Sequence, residues 1–214
     1  MNDIARKLDL TATEAFRQLQ RLCEALLVQK RPEGTYGITE YGKLMLQLSY
    51  SMEFVFKHKE YFSAHDVWRL PQQFVNRIGE LSQTNLIMNT MDCMKMMERM
   101  FGEAEQYAWG LREVSGMSAM ASIFNDQQRK GVRFRDLFPE SELPAYSKQR
   151  NVEGRGLSPS DIPALILLTD KEAAICFRFI GGRMDYAGFV GKDPMFLSWV
   201  KDLFLYYWDK GNQA

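Results

Sequence analysis

Apolar positions recur at helical spacing over the first third of the chain and at strand lengths over much of the rest. Ile4-Ala-Arg-Lys-Leu8 reads as a short amphipathic helix and Asp9-Leu10-Thr11 as a turn. Thr11 and Glu14 have the spacing of a capping box, in which each side chain bonds the other residue's backbone N–H. Ala15, Leu19, Leu22 and Leu26 then fall on one helical face. Leu26, where a stop glycine is common, predicts a helix that runs on into the next element. Val28 to Arg31, the turn Pro32-Glu33-Gly34, and Thr35 to Ile38 read as a β-ribbon. A helix over 40–62 follows, with Thr39 as its cap. Along it Tyr41, Met45, Leu48, Met52, Val55, Lys59 and Phe62 alternate in steps of four and three. A repeat of about 3.5 residues is the seam of a coiled coil, and Leu44, Phe54 and Phe56 widen it.

From Gln72 the pattern alternates. Helices are expected over 74–81, 91–105 and 117–130, and strands over 85–89, 107–112 and 132–138. Strand, helix, strand, helix, strand implies parallel neighbours joined by right-handed crossovers. Residues 139–163, rich in Pro, Ser and Gly, read as one long loop. Strands follow at Ala164–Leu168, Ala173–Phe179 and Met184–Val190, the last two joined by a hairpin at Gly181-Gly182. Asp193-Pro194 opens a helix whose Phe196, Val200, Leu203, Phe204 and Tyr207 share a face, and Gly211 ends it.

The fold class expected is α+β. Helix, turn, helix, ribbon, helix is the order of a winged helix-turn-helix that starts at its second helix, the first being missing. The expected domains are 1–43 for DNA binding, 40–70 for a long linker and dimerisation helix, and 71–214 for an α/β sensor. The 27 basic residues balance the 27 acidic ones, so any footprint for nucleic acid must be local. Arg17, Arg21, Lys30 and Arg31 against Glu24 supply one. Thr11, Thr13, Arg17, Gln18 and Arg21 are the candidates to face DNA from the helix, with Lys30, Arg31 and Tyr36 on the ribbon. Tyr41, Met45, Leu48, Met52, Val55 and Phe62 are the candidate dimer interface, since a symmetric operator calls for a two-fold protein. The other reading of the same helix is a core element of its own chain.

Chemistry narrows the sensor half. Cys23, Cys93 and Cys176 are far apart in sequence and lack paired spacing, which points to reduced thiols, Cys23 and Cys176 as apolar filler. No metal or cofactor motif occurs, and no apolar run is long enough to span a membrane. With no leader pattern either, a cytoplasmic protein is expected. His58-x-Glu60 lacks the lysine of a phospholipase H-x-K pattern. Gly116-x-Ser118 lacks the closing glycine of a nucleophile elbow, and Gly188-Phe-Val-Gly191-Lys192-Asp193 lacks both ends of a P-loop. The chain is therefore expected to be no enzyme. A small-molecule effector, anionic in character, is expected at the carboxyl ends of the strands, where Asn89, Thr90, Arg112 and Ser115 gather near helix starts. Arg150 and Arg155 are in position to close over it from the long loop.

Several motifs together resemble archaeal winged-helix regulators that carry the methanogenesis regulatory protein (FilR-type) middle domain. They are Arg17-Gln-Leu-x-Arg-Leu22, Gly34-x-Tyr36-x-Ile-Thr39-x-Tyr-Gly42, Tyr61-Phe-x-x-His65-Asp66, Leu70-Pro-x-x-Phe74, Arg77-Ile-Gly-Glu-Leu81, Gly131-Val-x-x-Arg135, Asp185-Tyr-x-Gly188-Phe and Trp199-x-x-Asp-Leu-Phe-x-Tyr-Tyr-Trp208. The resemblance implies a transcriptional regulator that reads double-stranded operator DNA as a homodimer through an α/β sensor. That sensor half also resembles the phospholipase-D-like sensor domains of sugar-responsive archaeal regulators. The alternative is a sensory or protein-interaction adaptor that no longer binds DNA.

Overall fold

The structure, a computed structural model, describes residues 2–113, 121–142 and 152–213. Backbone contacts divide the chain into two compact units, Met1–Glu53 and Phe54–Ala214.

In the first unit α1 (Asn2–Lys7) and α2 (Ala12–Glu24) meet at a turn in which Asp9 adopts φ 52°. Asp is one of the few residues that tolerates this left-handed geometry. The capping box at Thr11 and Glu14 is formed in both directions. Only Ala15 and Leu19 of the expected apolar face are buried. Leu22 is 38% exposed and Leu26 is 69% exposed. The helix does not run on through Leu26. It stops at Glu24, and Leu26 turns left-handed with φ 59°. The Leu27 N–H reaches the Leu22 carbonyl and the Leu26 N–H the Cys23 carbonyl, the paired bonds of a Schellman stop. A leucine here does what glycine usually does, so the missing glycine predicted the wrong ending.

β1 (Val28–Lys30) and β2 (Tyr36–Ile38) pair antiparallel, with Gly34 at φ 82° in the turn. α3 (Glu40–Lys57) follows at once. Its start is locked to the ribbon: the Thr39 hydroxyl donates to the Leu26 carbonyl and accepts from the Gly42 N–H. A Cβ at Gly42 would lie only 2.0 Å from the Leu27 carbonyl oxygen, so the close approach requires glycine.

The helix expected over 40–62 is two helices. α3 ends at Lys57, and α4 (Lys59–Ala64) restarts after His58. Beyond the break Phe62 leaves the seam and packs on Phe54 and Phe189. The helix expected over 74–81 is likewise split, into α5 (Gln72–Val75) and a 3-10 turn, Ile78–Leu81.

The second unit is built on one mixed sheet. Its strands are β3 (Asn85–Ile87), β4 (Tyr107–Leu111), β5 (Arg133–Pro139), β6 (Val152–Leu157), β7 (Ala164–Thr169), β8 (Ala173–Phe177), β9 (Gly188–Gly191) and β10 (Asn212–Gln213). Among the described residues their order is β10-β6-β5-β4-β7-β8-β9-β3. Parallel pairing holds for β4 with β5 and β5 with β6. β3 is not beside β4, as the alternation implied; it pairs antiparallel with β9 at the far edge. Three strands, β7, β8 and β9, fill the space between, and their pairing leaves no trace in local periodicity. β6 also lies inside the expected loop, hidden by Gly154 and Gly156 at positions where a strand usually shows apolar side chains.

Two cores flank the sheet. α8 (Pro194–Trp208) covers one face with Phe196, Trp199, Val200, Leu203 and Phe204 fully buried, held at its start by the Asp193 carboxylate. α6 (Thr90–Gly102) and α7 (Ala121–Arg129) cover the other, with Cys93, Met97, Met100, Phe101 and Phe134 in its core.

Candidate functional site

Two regions carry chemistry, one in each unit. In the first, Thr13, Arg17 and Arg21 stand at successive i, i+4 positions of α2, with Gln18 beside them, opposite the buried Ala15–Leu19 stripe. All four are exposed. Among the described residues Arg17, Arg21 and Lys30 have no carboxylate partner. Thr11 is different, because its hydroxyl donates to Glu14 at 2.7 Å. The Thr11 backbone N–H, and then its hydroxyl, hold the Glu14 carboxyl below the usual value. Arg31 lies at the start of the ribbon turn, its guanidinium folded over the backbone of Gly37. Tyr36 is half-buried on β2.

On α3, Tyr41, Met45, Leu48, Met52 and Val55 are all exposed, Met52 by 75%. Phe62 does not join them, being packed in the core of the second unit.

The second region lies where β8 and β9 part. Their register pairs Ala173 with Gly191 and Ile175 with Phe189. Carried on, it would oppose Phe177 to Ala187. Instead Tyr61 of α4 enters between them. Its hydroxyl accepts from the Phe177 N–H and donates to the Ala187 carbonyl, both at 3.1 Å. Past this point the chain after β8 takes a new partner, the segment after α4. The Asp66 N–H bonds the Arg178 carbonyl, and His65 bridges Phe179. A tight turn with Gly182 at φ 86° then brings back Met184 and Asp185.

His65 is buried in this opening and stacks on Tyr61 at 3.7 Å. Its Nδ1 donates to the Tyr61 carbonyl at 2.6 Å, and its Nε2 meets Asp185 Oδ2 at 3.0 Å. Burial holds the Tyr61 hydroxyl protonated well beyond the usual tyrosine range. Arg178, 4% exposed, bonds Ile162 O, Gly182 O and Glu113 Oε1. Among the described residues its Nη2 has no partner.

Thr90, Glu113, Phe179, Arg183, Met184, Asp185 and Tyr186 together line a cleft of about 370 Å³ here. Of the expected ligand residues that are described, only Thr90 borders it. Asn89 caps α6, accepting from the Met91 and Asp92 N–H groups. Arg112 is held by Asp136 at 3.0 Å. Burial raises the Asp136 carboxyl against the pull of Arg112. Ser115 and Arg150 lie outside the described residues, and Arg155 is tied to the Trp208 carbonyl. Asp185 and Arg178 were not singled out as site residues. The motifs Tyr61-Phe-x-x-His65-Asp66 and Asp185-Tyr-x-Gly188 point this way, while Arg178 lies in neither.

No protein-family model and no curated protein sequence matches the chain. The fold is similar to that of TrmBL2, described as an archaeal chromatin protein with a novel mode of DNA binding. The TM-score is 0.51 at 14% identity, over 96% of this chain and 84% of that one. Similarity also extends to NucT from Helicobacter pylori, with TM-score 0.49 at 10% identity over 61% of this chain and 98% of that one. Nuc from Salmonella typhimurium, a phospholipase D family member, gives TM-score 0.42 at 7% identity over 56% and 90%. These likenesses concern the fold: a mixed α+β chain whose similar structures include an archaeal DNA-binding protein and phospholipase D-like proteins. They also correct one expectation. The incomplete motifs predict no enzyme, but a phospholipase D family member is among the similar structures, and that exclusion is withdrawn. Among the described residues no helix is long and apolar enough to cross a membrane.

Proposed function

We propose that the chain is a DNA-binding transcriptional regulator that reads operator DNA as a homodimer and carries an effector-sensing domain. In this reading α2 is the recognition helix of a winged helix-turn-helix, and the β1–β2 ribbon is its wing. The single observation that carries it is the Thr13–Arg17–Arg21 stripe. It is exposed, free of carboxylate partners, and mounted on a capped helix whose opposite face is buried. Arginine on such a helix suits both phosphate and guanine edges. The likeness in fold to TrmBL2 supports the reading.

Dimerisation is assigned to α3, whose apolar seam is left exposed. The domains proposed are 1–43, 40–70 and 71–214, the last holding the sensor. The effector belongs in the cleft at Thr90, Arg183 and Asp185. Glu113 and Asp185 stand there beside Arg183, so a polar molecule with donors and acceptors fits it better than a bare anion.

The test is binding to promoter DNA across a salt series, read by fluorescence anisotropy. Arg17→Ala with Arg21→Ala should weaken binding and lower the slope of log affinity against log salt by about 2. An unchanged slope and affinity in the double variant would sink the assignment.

A further inference from the structure

Two cysteines that are distant in sequence meet in the core. Cys93 Sγ lies 3.9 Å from Cys176 Sγ, and both residues are fully buried. Neither is in a disulfide. We propose that Cys93 and Cys176 form an oxidisable dithiol, in which Cys93 attacks a peroxide and Cys176 resolves the product to an intramolecular disulfide.

The geometry separates the two roles. Cys93 stands in the first turn of α6, thirteen residues long, where the helix dipole favours an anion. The Cys176 thiol lies within donating distance of its sulfur. The Cys176 contact and the Gly188 N–H lower the Cys93 thiol from its ordinary value, against burial and Asp185. Cys176 sits on β8, where the Cys93 sulfur, burial and Asp185 all raise its thiol. The helix start favours an anion at Cys93, and Cys176 on its strand has no such field, the division that disulfide chemistry needs. Thr90 lies one turn before Cys93 on the same side of α6 and borders the cleft with Asp185. Both sulfurs are closed off from solvent, so the proposal requires the first turn of α6 to open before a small oxidant reaches them from that side.

The chemistry balances. The Cys93 thiolate attacks one peroxide oxygen, the O–O bond breaks, and hydroxide leaves. That hydroxide takes the proton Cys93 released and becomes water. Cys93 is then a sulfenic acid. The Cys176 sulfur attacks it, the S–O bond breaks, and the departing hydroxide takes the Cys176 proton as a second water. Two electrons have passed from the two sulfurs to the peroxide. The sulfurs must close to about 2.05 Å, which draws the first turn of α6 toward β8 and shifts Thr90 at the cleft wall.

The full chain carrying Cys23→Ser leaves only this pair. The reduced protein is exposed to hydrogen peroxide, quenched, unfolded and alkylated with N-ethylmaleimide, then read by intact mass and peptide mapping. Both alkylation sites should be lost together, and the peptides of Cys93 and Cys176 should appear joined. Adding Cys176→Ser should leave a sulfenic acid at Cys93 that dimedone traps. Adding Cys93→Ser should leave Cys176 fully alkylated after the same exposure. The proposal is overturned if both thiols still alkylate after an exposure that oxidises Cys23 in the unaltered chain. It is equally overturned if Cys176 is the residue trapped, or if Cys93 pairs with another molecule. Should a variant fail to fold, peptide mapping of the unaltered chain decides the matter by the same joined peptides.

Discussion

Leu26 is held in a left-handed backbone conformation that costs an L side chain roughly 1–2 kcal/mol. Its side chain is mostly exposed and returns little burial for that cost. Leu26→Gly should therefore raise the stability of the first unit by about 1 kcal/mol, seen as a higher midpoint in thermal unfolding followed by circular dichroism. Glu172 is the opposite case, a residue whose interactions are well matched. Its carboxylate takes two bonds from Arg99, at 2.9 and 2.7 Å, and one from Lys192 at 2.9 Å. Arg99 first, then Lys192, lowers its titration from the ordinary 4.5. A depressed carboxyl contributes stability that is present above its unfolded value and lost as pH falls through the folded one. Glu172→Gln should then lower stability at neutral pH, and less so below about pH 4.5. Denaturant midpoints across an acid series measure this, and an unchanged gap between the two proteins at every pH would refute it.

Elements whose signals are local were legible in the sequence, and elements made by distant partners were not. The capping box at Thr11 and Glu14, the Asp193-Pro194 helix start and the turn at Gly181-Gly182 each depend on neighbours within a few residues, and all three stand in the fold. β6 depends on β5 and β10 on either side and shows two glycines instead of an apolar alternation. The helix break at His58 was invisible because the heptad spacing continues through it, although Phe62 turns into a different core. In the site, Thr90 was found from its place after a strand. The contact of His65 with Asp185 spans 120 positions, and nothing local marks it. At this scale α3 makes a clear prediction. Leu48, 60% exposed, lies mid-seam, and a carboxylate there opposes any apolar interface. Leu48→Asp should shift the chain from dimer to monomer in sedimentation velocity while its helix content stays the same.

As a whole, the molecule distributes its burial unevenly. Among the described residues 2–53 only Ala5, Ala15 and Leu19 are buried hydrophobics, while Phe16, Leu44, Met45, Leu48, Tyr50 and Met52 are exposed. A unit so poor in core gains stability when a second copy covers its apolar surface. Its melting midpoint should therefore rise with protein concentration, whereas that of the second unit should not. Calorimetry at a series of concentrations tests this, and two concentration-independent transitions would argue for a monomer. In the second unit one phenol parts two strands. Had the Tyr61 hydroxyl not come between Phe177 and Ala187, those two residues would face each other in the register of the pairs before them. Tyr61 works as a doorstop, keeping the two strands ajar while satisfying both backbone groups it parts. The gap is one pair wide, for beyond it Arg178 faces Met184 and the two strands run together to their turn.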